Sequence, residues 1–314
     1  MKKKVKTRKK ITLQSVIMYI LLILTALMFA TPMLFTLLSS IKTKVEIFAK
    51  PFSWPEVPQW SNYVEAWTSA NMSHYFLNSL IQAGATVIVL AIVSTMAAYV
   101  LSRFDFIANK FIQTSFVSAM GVPAIMVVLP LFSIISGMGI LNNVAAGRTV
   151  LIILYVGINV PYTTIFLLTF FSNISRTYEE AAAIDGCPPM RTFWKIMFPM
   201  AQSGIVTVTI FNFINIWNEY FLSLIFASSD KLKPVAPGLY GMINSMKYTG
   251  DWAGMFAAVI IVFLPTFILY IFLSEKIIGG VTGALRDNIR GQQDNNNCLR
   301  CYCSHTTIPR GVLA

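Results

Sequence analysis

Six apolar runs, at roughly 15–38, 76–101, 111–136, 150–171, 204–227 and 253–274, dominate this chain. Each reaches about the twenty residues that an α-helix needs to cross the hydrocarbon of a bilayer. Lipid offers the backbone no hydrogen bonds, so a chain with this many such runs folds as a bundle of spanning helices. The composition agrees: of 314 residues 56% are hydrophobic and only 12% charged, too apolar for an ordinary soluble domain. The expected class is an all-α integral membrane protein with six transmembrane helices.

The net charge of +11 belongs to topology and not to nucleic-acid binding. Lys2, Lys3, Lys4, Lys6, Arg8, Lys9 and Lys10 precede the first run, which places the N-terminus in the cytoplasm by the positive-inside rule. Six spans return the C-terminus to the same side. Arg103, Lys110, Arg176, Arg191 and Lys195 then fall in cytoplasmic segments, while Lys42, Lys44, Lys50, Arg148, Lys231, Lys233 and Lys247 fall outside. The basic N-terminus, residues 1–10, also attracts anionic membrane lipid. The apolar run after Lys10 is longer than a signal-peptide core and ends in no small-x-small site, so it is read as an uncleaved first span.

Between the fourth and fifth runs lies EAAAIDGCPPMRTFWKIMFP, Glu180 to Pro199. Glu179, Glu180, Asp185, Arg191 and Lys195 are each costly in a bilayer core, so this loop lies in water. It reads as two short helices: Thr177 and Glu180 suit a capping box, Gly186 a break, and Pro188 and Pro189 the first turn of the second helix. Met190, Phe193, Trp194 and Met197 then recur at i, i+3, i+4 and i+7, a stripe that a partner is expected to cover. An amphipathic helix lying on the membrane surface is the rival reading.

Pro123 and Pro130 fall inside the third run, where a kink is expected, since neighbouring helices re-satisfy the freed carbonyls. On the fifth, Asn212, Asn215 and Glu219 lie at i, i+3 and i+7 and share a helix face, with Asn218 on its flank. Groups at that depth face a bundle interior or a wet cavity. A solute pathway and hydrogen bonding to a second subunit both require this, and both stay open.

No phosphate-binding G-x-x-x-x-G-K-[ST] loop occurs, and no nucleophile triad; His74 and His305 are the only histidines. The chain is not expected to be an enzyme, to have catalytic residues, or to bind ATP itself. After Leu285 the sequence turns polar and aperiodic, so 286–314 is expected to be a disordered tail. Cys298, Cys301, Cys303 and His305 crowd into it with no second element to complete a zinc site, so no metal is expected.

Glu180-Ala181-Ala182, Gly186 six positions after the Glu, and Ile196-x-x-Pro199 resemble the cytoplasmic loop of permease subunits of ATP-binding-cassette importers. Ile184-Asp185 before the Gly is most similar to carbohydrate importers of the maltose-permease type. Ser175, Cys187 and Ser203 depart from that pattern. Ser39-Ser40 with Lys42, Asn62-Tyr63, Asn78-Ser79, Ala97-Ala98-Tyr99 with Arg103, Leu141-Asn142, Pro161-Tyr162 and Trp217-Asn218-Glu219-Tyr220 extend the resemblance over about 11–285, a single transmembrane domain.

The resemblance implies the type I importer permease fold in a prokaryotic inner membrane. It implies a homologous second permease, two ATPase subunits that bind the ATP and magnesium, an extracellular or periplasmic sugar-binding protein, and a sugar as the transported solute. Coupling to the ATPases would run through the loop at about 172–203, by Glu180, Ala181, Ala182, Asp185, Gly186, Phe193, Ile196 and Pro199. Asn212, Asn215, Trp217, Asn218, Glu219 and Tyr220 would line the pathway, and Ser229 to Trp252 would meet the binding protein. Two alternatives are a secondary transporter that uses Glu219 as its coupling group, and a non-transporting membrane scaffold.

Overall fold

The computed structural model describes residues 13–68 and 71–272, and every regular element among them is helical. The basic N-terminal cluster and the tail expected at 286–314, with its cysteines, lie outside the described residues. In chain order the helices are α1 (Leu13–Ser39), α2 (Met72–Arg103), α3 (Asn109–Met120), α4 (Ala124–Gly137), α5 (Val144–Asn173), α6 (Thr177–Ile184), α7 (Pro189–Met200), α8 (Gln202–Trp217), α9 (Phe221–Phe226), α10 (Val235–Thr249) and α11 (Trp252–Phe272). Two short helices, Lys44–Ala49 and Ser61–Thr68, separate α1 from α2.

Helices α1, α2, α5 and α11 are each long and apolar enough to cross a membrane, with mean hydropathy of 2.3, 2.1, 2.0 and 2.6. Three threonine hydroxyls of α1 are satisfied locally. Thr25, Thr31 and Thr36 donate to the carbonyls of Leu21, Leu27 and Pro32 at 2.8, 2.7 and 2.8 Å, so these hydroxyls are not left bare toward lipid. Two bent pairs, α3 with α4 and α7 with α8, raise the number of spans to six if each pair is counted as one.

Both pairs depart from the sequence reading. The third run is broken by 95°, not merely kinked: α3 ends at Met120, and Pro123 stands in an extended conformation at the start of α4 (φ −62°, ψ 124°). Pro130 sits inside α4 without ending it. The second pair bends by 74° at Ala201, between an arm with exposed Arg191 and Lys195 and the apolar α8. Sixteen residues rise only about 24 Å, short of a core of about 30 Å, and α9 continues the apolar course. The fifth run is therefore a helix interrupted at Asn218–Tyr220, and Glu219 does not extend the face of α8.

Contacts divide the described residues into two compact units, one of 13–73 with 239–264 and one of 74–238 with 265–272. In the first, the segment after α1 is folded around the fully buried Lys42, whose Nζ donates to the carbonyls of Lys50 and Pro51, both at 2.9 Å. Asn62 Nδ2 donates to the carbonyls of Ser40 and Lys42. Thr43 and Glu46 form a capping box, and the Thr43 amide holds the Glu46 carboxyl below the usual range.

The second unit has two apolar cores, both threaded by α2. Ala83, Val87 and Leu90 of α2 pack with Leu151, Tyr155, Phe226 and Leu232, and Ala98 and Tyr99 with Leu167, Phe171, Phe193 and Met197. Where α8 crosses α5, a Cβ on Gly204 would meet the Phe170 ring at 2.5 Å, so that crossing needs glycine.

Candidate functional site

The loop between α5 and α8 is built from its turn. Helix α6 ends in a Schellman motif: Gly186, at φ +71°, donates to the Ala183 carbonyl at 3.0 Å, and Cys187 to that of Ala182 at 2.9 Å. Only a residue tolerant of the left-handed region suits that position. Pro188 is extended, and Pro189 opens α7 at its first position, where a missing N–H costs nothing.

Within α7, residues Phe193–Met197 form one π turn, with the Phe198 amide donating to the Phe193 carbonyl. Pro199 brings no N–H to the Lys195 carbonyl, which removes the bond that would hold the tighter α register there. The expected capping box at the start of α6 is absent. Arg176 is the cap position and makes no side-chain cap bond; instead Ser175 Oγ accepts from the Thr177 amide at 3.3 Å and lies 2.8 Å from its hydroxyl.

The stripe on α7 is split. Phe193 and Met197 are 3% and 0% exposed, packed with Tyr99, Leu167 and Phe171, whereas Met190 and Trp194 stay at the surface. The reading that a partner covers the whole stripe is thus corrected: α2 and α5 of this chain cover half of it, and Phe193 is not available for an outside contact in this conformation. Ala182 is likewise buried. Glu180, Ala181, Asp185, Gly186 and Pro199 are exposed, and Ile196 is half-buried.

Ile184, 86% exposed, joins this face together with Tyr178, and neither was marked as a contact residue by the sequence. Behind the face, a cavity of about 340 Å3 is lined by Tyr99, Arg103, Glu179, Glu180, Cys187 and Thr192 among others. At its wall Arg103 Nε lies 3.1 Å from Glu179 Oε2, with side chains only 6% and 19% exposed. The Arg103 guanidinium also donates to the Ile174 carbonyl at 2.7 Å. This ion pair escaped the sequence reading because its members lie on different elements.

The polar residues of the fifth run meet α5. Asn212 donates to Thr163 Oγ1 at 2.9 Å and Asn215 to Asn159 Oδ1 at 3.1 Å. One turn apart on α5, Tyr155, Asn159 and Thr163 face them. Glu219 reaches forward onto α9: its carboxylate accepts from the amides of Leu222 and Ser223 at 2.7 and 3.1 Å, from Ser223 Oγ at 2.8 Å and from Tyr155 OH at 3.1 Å. Those bonds explain the interruption at Asn218–Tyr220, because the carboxylate takes amide donors at the start of α9 that a continuous helix would give to its own carbonyls.

Trp217 is buried, stacked on Phe213 at 5.7 Å and edge-on to Phe76 at 5.3 Å. Asn215 and Asn218 are exposed, and Glu219 and Tyr220 are half-buried.

Residues 88–275 match the family described as binding-protein-dependent transport system inner membrane component. The chain is 35% identical over 266 residues to a diacetylchitobiose uptake system permease protein of Streptomyces coelicolor, a match covering 85% of this chain and 87% of that protein. Its fold is similar to that of a chain of a bacterial ABC transporter involved in the import of the acidic polysaccharide alginate (TM-score 0.76, 20% identity, covering 87% of this chain and 99% of that one). A second structure of an alginate transporter, in complex with an alginate pentasaccharide-bound periplasmic protein, superposes at a TM-score of 0.63 with 14% identity over 84% of this chain and 96% of that one.

Proposed function

The chain belongs to the family of binding-protein-dependent transport system inner membrane components, and from that premise we propose that it is one permease subunit of an ATP-driven carbohydrate importer in a prokaryotic cell membrane. The observation that carries this reading is the α6–Gly186–α7 loop. It lies within the matched residues and presents Glu180, Ile184, Asp185, Met190 and Trp194 outward on a segment too charged for lipid. Two ATPase subunits, which hold the ATP and magnesium, dock one on this loop and one on the corresponding loop of a homologous second permease. A sugar-binding protein delivers the solute on the opposite side.

On this reading the N-terminus is cytoplasmic and the loop faces the ATPases. Closure of the ATPase pair on ATP biases an equilibrium between inward-facing and outward-facing arrangements of the spans. The chain moves its solute without transforming it. A carbohydrate is the solute class because diacetylchitobiose and alginate are named for the similar proteins.

On the fifth span the pattern of bonds favours a division of labour. Asn212, Trp217 and Glu219 hold α8 and α9 against the rest of the unit, while Asn215, Asn218 and Tyr220 keep surface that a pathway could meet. The Glu219 carboxylate, with four donors already on it, is poorly placed as an ion-coupling group, which disfavours a secondary transporter.

The test is uptake of labelled chito-oligosaccharide and malto-oligosaccharide by proteoliposomes holding both permeases, the ATPases and the binding protein. Uptake is expected with internal ATP and no ion gradient. Uptake driven by an ion gradient without ATP would overturn the reading.

A further inference from the structure

Of the four helices long enough to span alone, α1, α5 and α11 contain Pro32, Pro161 and Pro265, while α2 contains no proline. Like α5 and α8 it threads both apolar cores of its unit, and its two ends are fastened to two different loops.

At one end is the largely buried pair of Arg103 and Glu179, with the guanidinium also on the Ile174 carbonyl. Separating two charges so nearly withdrawn from water leaves each unpaired in a poorly solvating site, so the end of α2 and the start of α6 are compelled to move together. At the other end Asn78, Ser79 and Gln82 are all spent on one short segment. Asn78 Nδ2 donates to the carbonyls of Lys231 and Lys233 at 2.9 and 3.0 Å, Gln82 Nε2 to that of Leu232 at 3.0 Å, and Ser79 Oγ accepts from the Val235 amide at 2.8 Å. Arg148 in turn donates to Asn78 Oδ1 at 2.8 Å.

From Asn78 to Arg103 an unbroken helix rises about 37 Å, more than the roughly 30 Å hydrocarbon core. A proline-free rod of that length, with one face packed into both cores and gripped at both ends, carries displacement from one end to the other instead of absorbing it.

We propose that α2 is a strut across the membrane, and that Arg103 and Glu179 are the positioning residues through which movement of the α6–α7 loop reaches the segment 231–235 on the opposite side. The proposal rests on the assignment of that loop to an ATPase partner. It adds that the same stroke resets the base of the loop expected to meet the binding protein.

The experiment places an environment-sensitive fluorophore on Ser228→Cys, with Cys187, Cys298, Cys301 and Cys303 replaced by serine, in the full importer in nanodiscs. The emission change on adding a non-hydrolysable ATP analogue is read. Glu179→Gln, which keeps the shape and removes the charge, and Asn78→Leu at the far end are each expected to reduce that change about threefold or more, with the ATPase subunits still co-purifying in full. The exchange Arg103→Glu with Glu179→Arg is expected to return most of it.

A full response in the Glu179→Gln complex overturns the proposal, and so does a lost response that the exchange fails to return, since a purely structural pair gives that result. Absence of any response in the unaltered, fully assembled importer would instead remove the ATPase assignment, and the strut with it.

Discussion

The α6–α7 loop and the polar face of the fifth span read alike in the sequence, as ionisable and amide groups in unexpected places, yet the structure treats them oppositely. In the loop Glu180, Asp185, Met190 and Trp194 point away from the chain, and the turn that presents them is fixed by Gly186 at φ +71°. In the span, Asn212 and Glu219 point into it, toward Thr163 and Tyr155. The difference follows from the solvent. A charge in water needs no partner, so an exposed, ordered spacing is free to serve recognition, whereas a polar group at membrane depth must be paired whatever else it does. Polarity in a spanning helix is therefore weak evidence for a solute site until its bonds are known.

Substitutions that separate recognition from packing sharpen that contrast. The largest effect is expected from Gly186→Val. The site has open space around it, so the penalty is the left-handed backbone, about 1–2 kcal/mol for any L-residue and more for a β-branched one. ATP-driven uptake should fall by about tenfold or more while membrane abundance holds, because the strain is local to the turn that aims the loop. Uptake at the unaltered rate would break the contrast from the loop side.

Next is Glu219→Ala, which leaves the amides of Leu222 and Ser223 without their acceptor. At about 1–3 kcal/mol for each buried group left unmade, thermal stability in detergent and membrane abundance should drop along with uptake. Lost uptake at full abundance and full stability would instead place Glu219 in the solute path.

The smallest effect is expected from Asn215→Leu. This side chain is exposed and makes one bond, to Asn159 at 3.1 Å, worth about 0.5–1.5 kcal/mol. Stability should scarcely move, so any large change in KM for the sugar would report contact with the solute.

How much of this was legible in the sequence also depends on the solvent. The six runs were readable because bilayer thickness sets their length, and each coincides with a helix or a broken helix within a few residues. The turn at Gly186 was readable because glycine and two prolines have few other uses in that order. Four features were not. Thr177 looked like a cap, but Ser175 takes its amide, a choice between neighbours that spacing alone cannot make. The stripe on α7 gave the period of its apolar residues without saying that Tyr99 and Phe171 would cover Phe193. Glu179 was recognised only as too costly for lipid, since its partner Arg103 is remote in sequence and ion pairs leave no local pattern. The interruption at Asn218–Tyr220 belongs with these, because it arises where Glu219 bonds forward to Leu222 and Ser223.

The central claim, that the exposed face of the α6–α7 loop is where ATP-driven work enters this chain, is tested most directly by Glu180→Lys. The residue is exposed and belongs to neither apolar core, so reversing its charge alters the docking face and the cavity wall that Glu180 shares with Arg103 and Glu179 without opening the packing. The measurement is sugar uptake in proteoliposomes, with the amount of permease and of co-purified ATPase determined on the same samples. The account predicts normal permease abundance and loss of ATP-driven uptake, with weaker retention of the ATPase. Undiminished uptake with the ATPase retained in full would contradict it.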